Sequence, residues 1–386
     1  MEESIKSLQN TIKEREHVED IPAEAAENDD LDSGDLYNIS FYGADLPFRE
    51  IKTMLDEGDL IKPQLQRNYV WDLAEASRFI ESLLLGLPVP SIFLAKNSNN
   101  QYLIVDGYQR IKTVTDFISG KPFANTDKLF RLSSTQRIHL QWRGKAFSEL
   151  VAEEQRKLKT SLIHAIIFEQ KEPRDDDSGM YQIFERINTG GRTLLPQEIR
   201  NCIYQGKFNI LLSELNKNAS WRALYGTEVE DSRMKDKEFI LRFFALQKED
   251  LTNRTGTIPL KATLNNFMRQ YQNISDDDYQ QFKQLFTETM DFLLEKFGSN
   301  VFENVNKEGV RTGKFHPTIF EAISLSTVYC KRSNSMMSEI TDFSNRWSSL
   351  LADEHFKLVI SIHTTERENL YQRVALAAKY LYATDL

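Results

Sequence analysis

Beyond Gly206 the apolar residues recur at helical spacing in one segment after another: 207–215, 237–247, 261–271, 278–297, 317–329, 337–351 and 366–382. A period near 3.6 gives each helix one apolar stripe, and such stripes are buried by packing against each other. Residues 206–386 are therefore expected to form an all-helical domain. No internal repeat is visible in them.

Ahead of Gly206 the pattern changes. Residues 48–58 suit a short helix. Residues 63–71 should be extended, because Pro63 disfavours helix before it and Tyr69-Val70-Trp71 favours strand or loop. From Leu73, Ala76, Phe79, Ile80, Leu83, Leu84 and Leu87 fall on one helical face, which Gly86 and Pro88 end. Residues 89–95 and 102–105 read as paired strands around a turn at 97–100. Asp106-Gly107 then leads into a helix with Ile111, Val114 and Ile118 on its apolar face. Residues 162–168 read as a buried strand, with His164 a satisfied core histidine. Helices should follow near 179–187 and from Pro196, a favoured first helical position. The whole is α+β, with an N-terminal domain over 37–205.

Charge is unevenly placed. Residues 1–36 hold 12 Asp/Glu and 3 Lys/Arg, while the rest of the chain holds 45 of each. The first 36 residues thus form an acidic, mostly mobile tail on a neutral body. It reads as a solvated tail, with a lid imitating nucleic acid or a partner-binding arm as sharper alternatives. No apolar run is long enough to span a bilayer, and Met1-Glu2-Glu3-Ser4 does not open a secretory signal. Two cysteines, Cys202 and Cys330, exclude a disulfide framework or a cysteine zinc site. A reducing cytoplasm is the expected compartment.

Three segments could carry chemistry. In YLIVDGYQRIKTVTDFI (102–118) a strand runs through Asp106-Gly107 into a helix. The amides at a helix start and its dipole favour an anion. Gly107 would let a ligand approach, Gln109 would add a neutral donor and acceptor, and Arg110 could fork onto phosphate. Asp106 could hold a metal ion or orient water. In QRNYVW (66–71), Gln66 and Arg67 could face the same pocket. In FERINTGGRTLLPQEIRN (184–201), Arg186 and Asn188 precede a glycine pair that can form an anion nest, and Arg200 follows on the next helix. Each segment also has a plain reading: a strand-to-helix bend, an edge strand, a helix C-cap.

Taken together with SLLLGLPVPSIFL (82–94), these segments resemble, in order and spacing, the family called domain of unknown function 262. That is the N-terminal domain of GmrSD-type restriction proteins, a branch of the ParB/sulfiredoxin-like superfamily, and the resemblance covers about residues 40–205. It implies a ParB-like domain with a small mixed sheet flanked by helices. It also implies nucleoside-triphosphate hydrolysis in defence against foreign DNA. Asp106, Gly107, Gln109 and Arg110 match the family's D-G-x-Q-R motif. Gln66 and Arg67 match its upstream Q-R pair, and Arg186, Asn188 and Gly191 its F-x-R-x-N-x-x-G element. Tyr108 stands where Gln is usual, and could stack on a base or fill space. Lys112 stands where Thr is usual, and could add a phosphate contact. Many relatives carry a C-terminal H-N-H-type nuclease. Here His316-Pro317 is the nearest candidate, and a loop with a helix start is the preferred reading.

Two acidic runs, Asp175–Asp177 and Asp276–Asp278, precede helices and are expected to cap them. Residues 121–150 are a basic insert with 6 Lys/Arg against 2 Asp/Glu. Arg131, Arg137, Arg143 and Lys145 could contact DNA phosphates, with Trp142 stacking on a base; the alternative is an amphipathic helix pair.

The expected function is a nucleoside-triphosphate-binding and hydrolysing protein of an anti-phage or restriction system, acting on foreign or modified DNA or gating a nuclease that does, with DNA endonuclease activity of its own as a further reading. It would use Mg2+ or Mn2+, with Asp106 and Arg110 catalytic and Arg67, Arg110 and Arg200 holding phosphates. Partners would be DNA, a nuclease or effector protein, and a second copy of the chain; no membrane is expected. The alternatives are a non-catalytic sensor that regulates a separate nuclease, and a scaffold with a vestigial pocket.

Overall fold

The computed structural model describes residues 38–61, 69, 71–97, 100–124, 126–172, 178–187, 194–306, 310–332 and 340–386. The expectations placed on residues 1–36, Gln66, Arg67, Asp175–Asp177, Asn188 and Gly191 lie outside them. The described residues fall into two compact units, one within 35–205 and one within 206–386.

The first unit opens with strand β1 (Asn38–Pro47), helix α1 (Phe48–Glu57) and the two-residue strand β2 (Leu60–Ile61). Helix α2 (Leu73–Leu85) is fixed at both ends: Asp72 and Glu75 form a reciprocal capping box, and Gly86 closes the helix at φ 78°. Strands β3 (Ile92–Lys96) and β4 (Tyr102–Asp106) pair around a turn at Asn97, whose N–H donates to Gln101 O at 2.9 Å. Helix α3 (Tyr108–Ile118), helix α4 (Ala152–Thr160) and strand β5 (Leu162–Glu172) follow, then helices α5 (Ser178–Ile187) and α6 (Pro196–Ile203).

The sheet order is β1-β5-β3-β4-β2, with antiparallel β1/β5 and β3/β4 and parallel β3/β5 and β2/β4. One face is the core. Ile92, Leu94, Ile104, Ile163, Ala165 and Ile167 project from it against Ile51, Ile80, Leu84, Ile111, Val114 and Leu158 of the helices.

This unit is the mixed α+β domain read from the sequence, with local differences. Strand β1 carries no strong apolar alternation and emerges only by pairing with β5. Strand β3 starts at Ile92, after Pro90, which has no N–H for a ladder. His164 is not a core residue: its side chain is half-exposed on β5 and bonds Asp45 on β1 at 2.8 Å. Among its described residues the insert shows a single 3-10 turn at Phe147–Glu149 and no helix pair; isolated bridges join Pro122 to Leu129 and Arg131 to Ala146.

The second unit contains α7 (Lys207–Leu215), α8 (Ala219–Tyr225), α9 (Lys235–Leu246), α10 (Leu260–Gln270) and α11 (Asp276–Phe297). After them come α12 (Pro317–Arg332), α13 (Phe343–Ala352), α14 (Glu354–Ser361) and α15 (Arg367–Tyr382). It is largely helical, and the expectation of an all-helical unit needs one correction. Between α11 and α12 lies a hairpin of β6 (Glu303–Val305) and β7 (Arg311–Phe315). Strands of three and five residues are too short to show a period. Helix α12 is the centre of this unit, buried over most of its length. Contrary to expectation, the acidic run does not itself cap α11: Ser275 is the cap, and Asp276–Asp278 lie within the first turn, where their charge suits the positive end of the helix. No described helix is long and apolar enough to cross a membrane.

Candidate functional site

Buried Leu103, Ile104 and Val105 anchor β4 and deliver Asp106 to the sheet's end. Gly107 turns the chain at φ 101°. A Cβ at this glycine would lie 2.3 Å from Ile92 Cγ2, so the residue is dictated by β3 as well as by the backbone angle. The sequence assigned Gly107 to ligand approach; its surroundings give it a packing reason.

Helix α3 starts at once, with Ile111 N–H donating to Gly107 O at 3.0 Å. No side chain caps it, and its first turn has no acidic residue, so its positive end is not neutralised from within. One turn along, Arg110 reaches back: Nη2 lies 2.5 Å from Asp106 Oδ2. Asp106 is half-exposed and the Arg110 side chain 15% exposed. Arg110 Nε is buried and has no hydrogen-bond partner among the described residues. A guanidinium held by one carboxylate, with donor capacity in reserve, is suited to an incoming anion.

The rest of α3 is committed to structure. Tyr108 is buried, so of its two readings the space-filling one describes its place, and burial pushes its phenol pKa up. Lys112 pairs with Asp116 one turn on. Thr113 Oγ1 donates to Gln109 O at 2.7 Å, so its lone pairs are left to accept from the Tyr69 hydroxyl, also at 2.7 Å. Burial raises the Tyr69 pKa to about 12. Trp71 packs edge-on against Phe79 of α2. The described residues of QRNYVW thus lie against the helix of Arg110 and its neighbour, a link without a signal in sequence spacing.

Helix α5 packs on β4 and on α6. Arg186, in its last turn, is exposed. Arg200 on α6 is buried, its Nη1 3.3 Å from Gln197 Oε1. Glu198, Gln197 and Asn201 are buried beside it on the same helix. The third motif therefore adjoins the strand that ends in Asp106.

The basic insert is differently disposed. Arg131 forks onto Glu149 at 2.7 and 2.8 Å and also donates to Gly144 O. Arg143 donates to the Ile138 and Gln136 carbonyls. Trp142 is a correction to the base-stacking expectation: its ring is 7% exposed, and its N–H donates to Glu154 Oε1 at 2.7 Å. Arg137 is exposed and Lys145 half-buried. Arg131, Trp142 and Arg143 brace the loops.

Among the described residues, no group of three or more His, Cys, Asp or Glu could hold a metal ion. In the second unit His316 is buried, and burial with the nearby Arg373 charge lowers its pKa to about 4. It accordingly lacks the exposure of a nuclease base.

Residues 51–205 match the model of the GmrSD restriction endonuclease N-terminal domain. That segment is a domain of this family. The match contains β4, α3 and both flanking motifs and leaves out 206–386. At the level of the family, a GmrSD-type domain carries restriction-related DNA function. No curated protein and no solved structure matches the chain significantly.

Proposed function

We propose that the GmrSD-type domain binds a nucleoside triphosphate at the start of α3, and that its hydrolysis gates nuclease action on foreign or modified DNA. The observation that carries this reading is Arg110: one turn into a helix without a side-chain cap, held by Asp106, with a buried Nε lacking a partner among the described residues. Phosphate oxygens arriving there would meet the guanidinium and the positive end of α3 together. Gln66, Arg67, Gln109, Arg186, Asn188, Gly191 and Arg200 are assigned to the same phosphate-binding role by their motif positions.

The donor set fits Mg2+ or Mn2+ as carried by the nucleotide. Such an ion commonly takes one or two carboxylates and completes its shell with water and phosphate oxygens, and Asp106 supplies one hard oxygen ligand. When bound, the ion would offset phosphate charge. Asp106 would turn from Arg110 towards it, freeing the guanidinium for the phosphates.

Phosphate release and binding of a labelled nucleotide should both be measured for wild type and Arg110→Ala, with and without DNA. The expected result is turnover in wild type, and at least a tenfold loss of binding in the variant, since a charge-assisted pair contributes about 1.5–3 kcal/mol. Unchanged nucleotide affinity in Arg110→Ala would defeat the assignment.

A second reading is a sensor that binds without hydrolysis and regulates a separate nuclease. It is favoured by the absence of a carboxylate or histidine cluster among the described residues. Tight binding with no phosphate release under any condition is its signature.

A further inference from the structure

Helix α3 begins without a side-chain cap, and Arg110 is the third residue of its first turn. Uncapped helix ends fray, and the amides that would meet a phosphate lie in this turn. The fold braces the turn from elsewhere. Thr113, one turn on, donates to Gln109 O at 2.7 Å and accepts a second bond from the Tyr69 hydroxyl, also at 2.7 Å. Thr113 is buried, on a helix whose other inward positions, Ile111, Val114 and Phe117, are apolar. A valine would fill the same space, so the use of the hydroxyl is in these two bonds. Tyr69 is itself held from outside the helix. Its ring meets Phe123 edge-on at 5.6 Å, and Phe123 packs on buried Phe130 at 4.8 Å. Lys112 Nζ lies 6.0 Å from the ring centroid. A phenylalanine would keep these ring contacts; tyrosine adds only the hydroxyl. Burial pushes its pKa up to about 12, so it stays a donor at neutral pH. A line of bonds thus runs from Tyr69 through Thr113 to the carbonyl of Gln109, the neighbour of Arg110 in the chain.

We propose that Tyr69 is a positioning residue for the nucleotide site: through Thr113 it fixes the first turn of α3, so that Arg110 and the amides of that turn meet an arriving phosphate together. This deepens the nucleotide-binding reading and rests on it. A turn already ordered binds with little loss of freedom, whereas a frayed one must first be ordered, which weakens binding. Tyr69 touches no phosphate in this arrangement and acts only through α3. Its hydroxyl therefore has an effect that stability alone does not predict. A merely structural bond would lower the melting temperature and leave the affinity of the folded protein unchanged.

Fluorescent ATP and GTP with Mg2+ would be titrated into the full chain, well below its melting temperature. The proteins compared are wild type, Tyr69→Phe, Thr113→Val, the double variant, Arg110→Ala and Ile80→Val. Ile80, buried on α2, is the control: its truncation lowers stability without touching the bonds to α3. Tyr69→Phe should weaken nucleotide binding about fivefold, the equivalent of one hydrogen bond. Thr113→Val should weaken it at least as much, and the double variant should match Thr113→Val, because the same bond is lost in both. Ile80→Val should bind as wild type does. The ratio of wild-type to Tyr69→Phe affinity should be the same at about pH 7 and about pH 9, since the phenol ionises at neither. Equal affinity in wild type and Tyr69→Phe overturns the positioning role, even where the melting temperature falls. So do losses that multiply in the double variant, or a loss in Ile80→Val as large as that in Tyr69→Phe. Failure of the underlying reading looks different: a wild type that binds neither nucleotide, or binding untouched by Arg110→Ala, removes the nucleotide site and the positioning role with it.

Discussion

At the scale of single residues, Asp106, Gly107 and Arg110 share one turn of chain but answer to different forces. Arg110 and Asp106 are tied to each other and to whatever anion enters. Gly107 is tied to Ile92 and to its own backbone angle. Gly107→Ala should thus destabilise the domain even without ligand, by about 3 kcal/mol from left-handed strain and overpacking together. Urea unfolding of the ligand-free protein measures this directly. A stable variant that has lost only nucleotide binding would return Gly107 to the ligand-approach role. The D-G-x-Q-R pattern was readable because its residues are consecutive. The Tyr69–Thr113 bond and the pairing of Phe41 on β1 with Phe168 on β5 were not, because they depend on a segment 44 residues from its partner and on strand register.

At the scale of elements, long periodic helices were readable and short elements were not. Helices α9, α11 and α15 have enough turns to display an apolar stripe, whereas α8, α14 and the β6–β7 hairpin do not. The buried start of α12 was read only as a loop and helix start. His316 there lies against Thr318, whose hydroxyl donates to Ile360 O at 2.8 Å; His316 Nδ1–H is therefore the donor in the 3.1 Å contact with Thr318. Desolvation, then the charge of Arg373, lowers its pKa to about 4. The neutral ring is the one the fold accepts. This contribution to stability is complete above about pH 6.5 and is lost as pH falls from there towards 4. Between pH 7.5 and 5 the loss should be about 2 kcal/mol. His316→Gln should be less stable than wild type at pH 7.5, and the gap should shrink by about that amount at pH 5. A gap that stays constant across this range would mean that the imidazole is not the titrating group. The comparison with the variant cancels the carboxylates that titrate in the same window.

At the scale of the whole molecule, charge is the property that sequence states without any fold. The 350 residues after Leu36 hold 45 acidic and 45 basic side chains, and the 36 before them hold 12 and 3. The fold then decides how the body's basic side chains are used. Arg131, Arg143, Arg222 and Arg373 are all engaged by carbonyls or carboxylates of their own unit. A body of zero net charge, with many arginines internally paired, has little long-range attraction for a polyanion. Nine surplus negative charges on the tail therefore weigh heavily against any approach of DNA. Removing residues 1–36 should raise the affinity for a single-stranded oligonucleotide several-fold at about 50 mM salt, where screening is weak. The advantage should fade towards about 0.3 M, as the Debye length falls below about 6 Å. Anisotropy titrations of both chains across that range distinguish two roles for the tail. A gain that fades with salt identifies electrostatic exclusion acting through the field of the tail. A gain that persists at high salt identifies direct occupation of the binding face, since apolar contacts are not screened. Equal affinity at the lowest salt would remove both roles and leave residues 1–36 without influence on DNA binding.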